Sequence, residues 1–361
     1  MLIQLFWFIG GLIGLIVGAQ ILVKGASNLA TSMGVSSLVV GLTIVAFGTS
    51  SPEIAVSVSA AMSGNSDIAV GNVVGSNIFN VLFILGISAI IAPLVVGVQL
   101  IRQEVPLMIG FSLLLILLSL DGLLGKFDSA TLIILLIAYT TFLLIQSRRQ
   151  NSAAVKSVAD SNALSGSLPT NHWALQVCFI AIGLVLLVVG SGWLVDSASS
   201  FARAIGISDV VIALTIVAAG TSMPEVATSV VAALKGERDI AVGNVVGSNI
   251  FNILACLGIS GLVAAGGLPI PPSILAFDFW VMLAVALACL PIFISGREIA
   301  RWEGIVLLGY YIAYTSYLVL AAQNHDALPV FSMVMLIFVL PLTAVALVAS
   351  IWSTSHQTKV R

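Results

Sequence analysis

Two glutamates stand inside long apolar stretches. Glu53 closes the hexapeptide Gly48-Thr49-Ser50-Ser51-Pro52-Glu53, and Glu225 closes Gly220-Thr221-Ser222-Met223-Pro224-Glu225. A carboxylate near the centre of a bilayer costs at least about 2.5–3.5 kcal/mol on insertion scales. Proline lacks an N–H and its ring disrupts the preceding turn, while glycine adds backbone freedom. Each hexapeptide is therefore expected to break or kink its helix and to free carbonyls near the threonine. Such groups are tolerated at membrane depth only where they are buried in protein or line a cavity. Two carboxylates, freed carbonyls, hydroxyls and amide oxygens would make an all-oxygen cage. That suits a hard cation such as Ca²⁺, which takes roughly 6–8 oxygens. No His or Cys adjoins the hexapeptides to favour zinc or copper. The alternative is a pair of protonated, hydrogen-bonded structural glutamates.

A second segment adds oxygens. Residues 71–80 and 243–252 both read GNVVGSNIFN. Asn72, Ser76 and Asn80 are spaced by four and share one helix face, and Asn77 broadens the stripe. The second copy carries Asn244, Ser248, Asn249 and Asn252. Ser76, Asn80, Ser248 and Asn252 are read as site residues. For Asn72, Asn77, Asn244 and Asn249, interhelical hydrogen bonding stands level with a functional role. Asp67 and Asp239 precede these segments and are expected to cap their helices, with access to the ion path as the alternative.

The two segments belong to one duplication. At a constant offset of 172, 30 of the 40 positions in 41–80 and 213–252 are identical. The chain around them is 60% hydrophobic and 8% charged, against about 25% charged for a soluble domain. Apolar blocks of roughly 20 residues, enough to cross a bilayer, predict spans at 3–23, 36–62, 68–91, 105–120, 130–146, 174–195, 208–234, 240–265, 277–295, 303–321 and 329–351. The polar stretch 147–171 reads as a linker. The chain divides into a first repeat 1–146, a cytoplasmic linker 147–171, a second repeat 172–322, and an extra helix with tail at 323–361. Cys178, Cys256 and Cys289 lie in apolar stretches and are read as small buried residues. With the N-terminus outside, eleven Lys and Arg fall on the inner face and only Lys126 and Arg203 outside. Five spans before the linker make the halves enter from opposite sides. Inverted repeats of this kind place a transporter's site near the midplane, where Glu53 and Glu225 can meet.

These residues resemble the two α-repeats of the calcium/cation antiporter superfamily, in particular its sodium/calcium exchanger branch of prokaryotic type. The paired GTSxPE and GNVVGSN motifs carry the resemblance, over about residues 3–321. It implies an all-α membrane fold of two inverted five-helix repeats, here with an added eleventh C-terminal transmembrane helix. The second, third, seventh and eighth helices would form the ion-binding core, and the first and sixth would slide past it. By the same resemblance, Glu53 and Glu225 are central calcium ligands with the carbonyls of Thr49 and Thr221. Ser50, Ser76, Ser222 and Ser248, with the carbonyls of Ala46 and Ala218, correspond to sodium ligands. Asn80 and Asn252 fill the remaining central positions. Archaeal and potassium-dependent members carry Asp at the position of Asn252, so this core holds two acidic groups rather than three, which speaks against potassium co-transport. Proton-coupled members typically carry a Glu shortly after the GN motif, where this chain has Val73, Val74 and Gly75.

The expected function is therefore Ca²⁺/Na⁺ antiport by alternating access, with Ca²⁺/H⁺ or other cation/proton antiport as the alternative on the same fold. An ionised site would carry −2, which one Ca²⁺ or two to three Na⁺ neutralise. Gly10, Gly14 and Gly18 in the first span, and Gly183, Gly190 and Gly192 in the sixth, offer either a smooth sliding face or tight packing. An intramembrane protease would need catalytic Asp in YD and GxGD contexts, which are absent. A channel would need a continuous pore. No enzymatic activity, cofactor, nucleic acid or obligatory protein partner is expected; the partners are Ca²⁺, Na⁺ and the lipid bilayer. Short loops and a short linker point to a prokaryotic inner membrane, with the C-terminus cytoplasmic.

Overall fold

The structure is a computed structural model and describes residues 2–33, 35–159, 173–204, 218–323 and 325–343. Apolar composition along whole stretches, rather than one-faced patterning, makes its helices, because a helix alone satisfies its backbone without water. They run in the order α1 (Leu2–Met33), α2 (Ser37–Thr49), α3 (Ser51–Met62), α4 (Ser66–Ile91), α5 (Leu100–Leu118), α6 (Lys126–Ala159) and α7 (Trp173–Ala204). Then follow α8 (Ala218–Thr221), α9 (Met223–Leu234), α10 (Arg238–Val263), α11 (Ile274–Ile294), α12 (Arg301–Ala322) and α13 (Leu328–Thr343). Among the described residues, eight helices are long and apolar enough to cross a membrane, and α2 with α3 makes a ninth, bent by 44°.

The expected span 36–62 is that bent pair. Residues 208–217 of the seventh span and 344–351 of the eleventh lie outside the described residues. The stretch read as a linker from 147 begins as helix, because α6 continues to Ala159; residues 160–171 lie outside the description. Asp67 and Asp239 do not cap their helices. Asn65 and Glu237 hold the N-cap positions without a side-chain bond, and each Asp sits inside the first turn, where its charge still complements the helix dipole. Cys256 and Cys289 are buried, but Cys178 is exposed on α7.

Four two-residue strands tie the loops together. β1 (Leu94–Val95) pairs antiparallel with β4 (Glu298–Ile299), and β2 (Leu123–Leu124) pairs antiparallel with β3 (Leu268–Pro269). α5 therefore runs from the β1/β4 end to the β2/β3 end, whereas α11 runs from the β2/β3 end to the β1/β4 end. These are the corresponding fourth elements of the two halves.

The core forms around α4 and α10, the most enclosed of the long helices. Val73, Val74, Ile78, Val245, Val246 and Ile250 are all buried. α1 and α7 lie alongside each other at backbone contact. A Cβ on Gly11 would stand 2.7 Å from the Gly190 carbonyl oxygen, one on Gly18 2.9 Å from that of Gly183, and one on Gly190 2.9 Å from that of Gly11. Trp7 and Trp193 meet at 4.8 Å at one end of this contact. The small-residue stripes thus join α1 to α7. Gly192 is not part of the contact, since nothing lies within 4 Å of a Cβ built there.

Candidate ion-binding site

The site is assembled at the breaks between α2 and α3 and between α8 and α9. Ser50 leaves helical geometry at φ −79°, ψ 3°, and Ser222 at φ −88°, ψ 7°. Pro52 and Pro224 fall in the first turn of the following helix, where a missing N–H costs nothing. Each proline deprives the carbonyl four residues earlier of its donor, namely Gly48 and Gly220. The Gly220 carbonyl accepts instead from Ser191 Oγ of α7 at 2.6 Å. The glycines also seat α7: a Cβ on Gly48 would meet Leu184 at 2.6 Å, and one on Gly220 would meet Val195 at 2.1 Å.

Glu53 and Glu225 open α3 and α9 and are 0% and 1% exposed. They lie within electrostatic reach of each other. Each carboxylate is held by the opposite repeat. Ser222 Oγ donates to Glu53 Oε1 at 2.8 Å, and Ser50 Oγ donates to Glu225 Oε1 at 3.2 Å. The second oxygens, Glu53 Oε2 and Glu225 Oε2, are buried without a hydrogen-bond partner. A buried polar atom left unmatched costs about 1–3 kcal/mol, and a cation is one group that could match these oxygens. Glu104 provides the contrast. It is equally buried, yet Gln99, Gln103 and Tyr139 donate to it at 3.1, 2.7 and 2.9 Å. That carboxylate braces α5 against α6.

Of the other predicted residues, hydrogen bonds tie Ser76, Thr49 and Thr221 to the same place. Ser76 Oγ lies 3.2 Å from Ser222 Oγ. Ser248 Oγ is buried without a partner. Thr49 Oγ1 donates to Asn244 Oδ1 at 3.0 Å, and Thr221 Oγ1 approaches Asn72 Oδ1 at 3.5 Å. The Ala46 carbonyl accepts the Ser50 N–H at 3.0 Å, and Ala218 opens α8. Asn80 and Asn252 each begin a π-helical turn, Asn80–Leu85 and Asn252–Leu257, a feature frequent at functional sites.

The asparagines left open by the sequence are interhelical clamps. Asn72 Nδ2 donates to the Glu53 carbonyl at 3.3 Å and to Ser57 Oγ at 3.0 Å. Asn244 Nδ2 does the same to the Glu225 carbonyl at 3.4 Å and Ser229 Oγ at 3.0 Å. They tie α4 to α3 and α10 to α9 beside each glutamate. Ser57 and Ser229 escaped the sequence reading, although they are identical in the two copies. Among the described residues no three His, Cys, Asp or Glu side chains come together as a metal cluster. The donor set is two carboxylates surrounded by neutral oxygens, which suits hard cations.

This geometry meets a matching family. Residues 3–146 and 175–320 match the model of the sodium/calcium exchanger proteins. The chain belongs to that family. It is 35% identical over 339 residues to the sodium/calcium exchanger MaX1 of Methanosarcina acetivorans, covering 84% of this chain and 95% of that relative. It is 35% identical over 255 residues to the inner membrane protein YrbG of Escherichia coli, covering 70% of this chain and 77% of the relative. A solved structure of the sodium–calcium exchanger NCX_Mj superposes with a TM-score of 0.75 at 31% identity, covering 88% of this chain and 99% of that one. The chain is thus a polytopic helical membrane protein of a cation-antiporter family, with the NCX_Mj fold.

Proposed function

We propose that this family member exchanges Ca²⁺ for Na⁺ by alternating access at a site built on Glu53 and Glu225. The observation that carries the reading is the reciprocal hold on the carboxylates. Ser50 engages Glu225, Ser222 engages Glu53, and each glutamate keeps one buried oxygen unmatched. Thr49 and Thr221 complete the calcium position through their carbonyls, beside the amides of Asn80 and Asn252. Ser50, Ser76, Ser222 and Ser248, with the carbonyls of Ala46 and Ala218, take the sodium ions.

The architecture that goes with it is two inverted five-helix repeats with α13 as the start of an appended eleventh span. The opposite run of α5 and α11 supports the inversion. Membrane orientation follows the charges: Lys24, Arg102, Lys235, Arg238, Arg297 and Arg301 on one side as the cytoplasmic end, with the N-terminus outside. An inner (plasma) membrane of a prokaryote is the proposed location, as for the relative named an inner membrane protein.

An ionised, empty pair of carboxylates is costly to enclose in low dielectric. The protein therefore changes face only when Ca²⁺ or Na⁺ neutralises the pair, which makes it an exchanger rather than a leak. Vesicles containing the purified protein and loaded with Na⁺ should take up ⁴⁵Ca²⁺ when diluted into Na⁺-free medium. Uptake that ignores the Na⁺ gradient would refute the reading.

A further inference from the structure

We infer that Asn77 and Asn249 are positioning residues that set which way the amides of Asn252 and Asn80 face, so that both turn oxygen rather than N–H towards the cation. This rests on the site proposed above and adds a reason for its polarity. Two backbone carbonyls, which only accept, fix the first amides. Asn77 Nδ2 donates to the Asn249 carbonyl at 3.3 Å and faces Met282 Sδ at 3.6 Å. Both of its amide hydrogens are thereby committed, and its Oδ1 is left towards Asn252. An acceptor there demands a donor, and Asn252 supplies Nδ2 at 3.1 Å. The Asn252 oxygen must then turn the other way, where the Cys256 thiol approaches at 3.5 Å.

The mirror half obeys the same sequence of constraints. Asn249 Nδ2 donates to the Asn77 carbonyl at 3.3 Å and faces Met108 Sδ at 3.6 Å. Its Oδ1 accepts from Asn80 Nδ2 at 2.9 Å. Asn80 Oδ1 is left buried with no donor. Asn80 follows Ser76 by one turn on the same helix face, and Ser76 reaches Ser222, which holds Glu53. The unmatched Asn80 oxygen is therefore on the site's side of α4. An Asn80 amide turned over would present its positive N–H edge to a cation. The Asn77–Asn249 pair prevents that rotation from behind.

A double-mutant cycle tests the relay. Asn249→Leu keeps the branched outline and removes the acceptor for Asn80 Nδ2. It should raise the Ca²⁺ concentration for half-maximal Na⁺-driven uptake by about tenfold, with maximal rate less affected. In an Asn80→Ala background, the same change should add less than about twofold, because its effect passes through Asn80. A protonated Asp in Asn249→Asp keeps an oxygen facing Asn80 while its O–H donates to the Asn77 carbonyl, and this variant should restore near-normal half-saturation. Ca²⁺-dependent thermal stabilisation of the purified protein reads the same affinities without transport. Asn77→Leu with Asn252→Ala gives the equivalent cycle if Asn249→Leu does not fold. Equal effects of Asn249→Leu in both backgrounds, or none in either, overturn the relay while wild-type uptake stands. Loss of Na⁺ dependence in the unsubstituted protein overturns the site itself.

Discussion

Glu53 and Glu225 each spend one oxygen on a serine of the other repeat and keep the second unmatched. Glu53→Gln or Glu225→Gln puts an amide nitrogen among these oxygens and removes one negative charge. A charge-assisted contact is worth up to about 3 kcal/mol, and each 1.4 kcal/mol is about tenfold. Either variant should therefore cut Na⁺-driven ⁴⁵Ca²⁺ uptake at low Ca²⁺ by about 100-fold while the protein still folds. Uptake within a few fold of wild type would remove these residues from the site. Their meeting was legible in the sequence because the motif is duplicated and the second copy comes five spans after the first, an odd offset that turns the copies opposite ways. The division of labour among the asparagines was not. Spacings of three and four put Asn72, Asn77 and Asn80 on one broad face, and only the register of α4 against α10 shows which amide clamps a backbone and which turns an oxygen outward.

Helices α1 and α7 form a pair whose glycines meet each other. The sequence left a sliding face and tight packing open, since a stripe of glycine does not name its partner. With Gly11 against Gly190 and Gly18 against Gly183, the two helices are joined into one body. The core presents Gly48 and Gly220 to the side chains Leu184 and Val195 of that body. Under the alternating access proposed above, the pair would move as one body. Gly190→Val would drive a side chain into the Gly11 backbone, and overpacking of this kind costs about 1–3 kcal/mol. Transport should fall by more than about tenfold while Ca²⁺ still stabilises the purified protein against heat. Gly192→Ala, with open space around it, should transport like wild type. Normal transport by Gly190→Val would show that the contact does not matter to the cycle. Other element-level features lay beyond sequence patterning. A break or a kink was expected at Pro52, and the structure shows a break, with the proline in the first turn of a new helix. The exposure of Cys178 depends on which face α7 turns to α1, and uniform apolarity conceals that face.

On the scale of the whole molecule, the paired loop strands make α5 and α11 run oppositely, and they place the α3–α4 turn and the α9–α10 turn at opposite ends. Ser63 in the first turn and Arg238 at the second are exposed. In a background with Cys178→Ser, Ser63→Cys should react with a membrane-impermeant thiol reagent only from outside, and Arg238→Cys only from the cytoplasm. Labelling of both from one side would contradict the inverted arrangement. Apolar spans and the charge bias could be read because hydrophobic length and Lys/Arg placement are one-dimensional signals, yet of the eleven spans expected, eight helices and the bent α2–α3 pair are long enough to cross among the described residues. Loop pairing needs the three-dimensional path. The most direct test of exchange itself is a gradient panel on reconstituted vesicles. ⁴⁵Ca²⁺ uptake is followed under an outward gradient of Na⁺, K⁺ or H⁺ alone, with wild type and Glu53→Gln side by side. Two carboxylates without a third acid speak against K⁺, and Val73, Val74 and Gly75 in place of a Glu after the GN motif speak against H⁺, so uptake should be driven by Na⁺ only and be absent in Glu53→Gln. Uptake driven by H⁺ as strongly as by Na⁺, or unchanged in Glu53→Gln, would contradict the account.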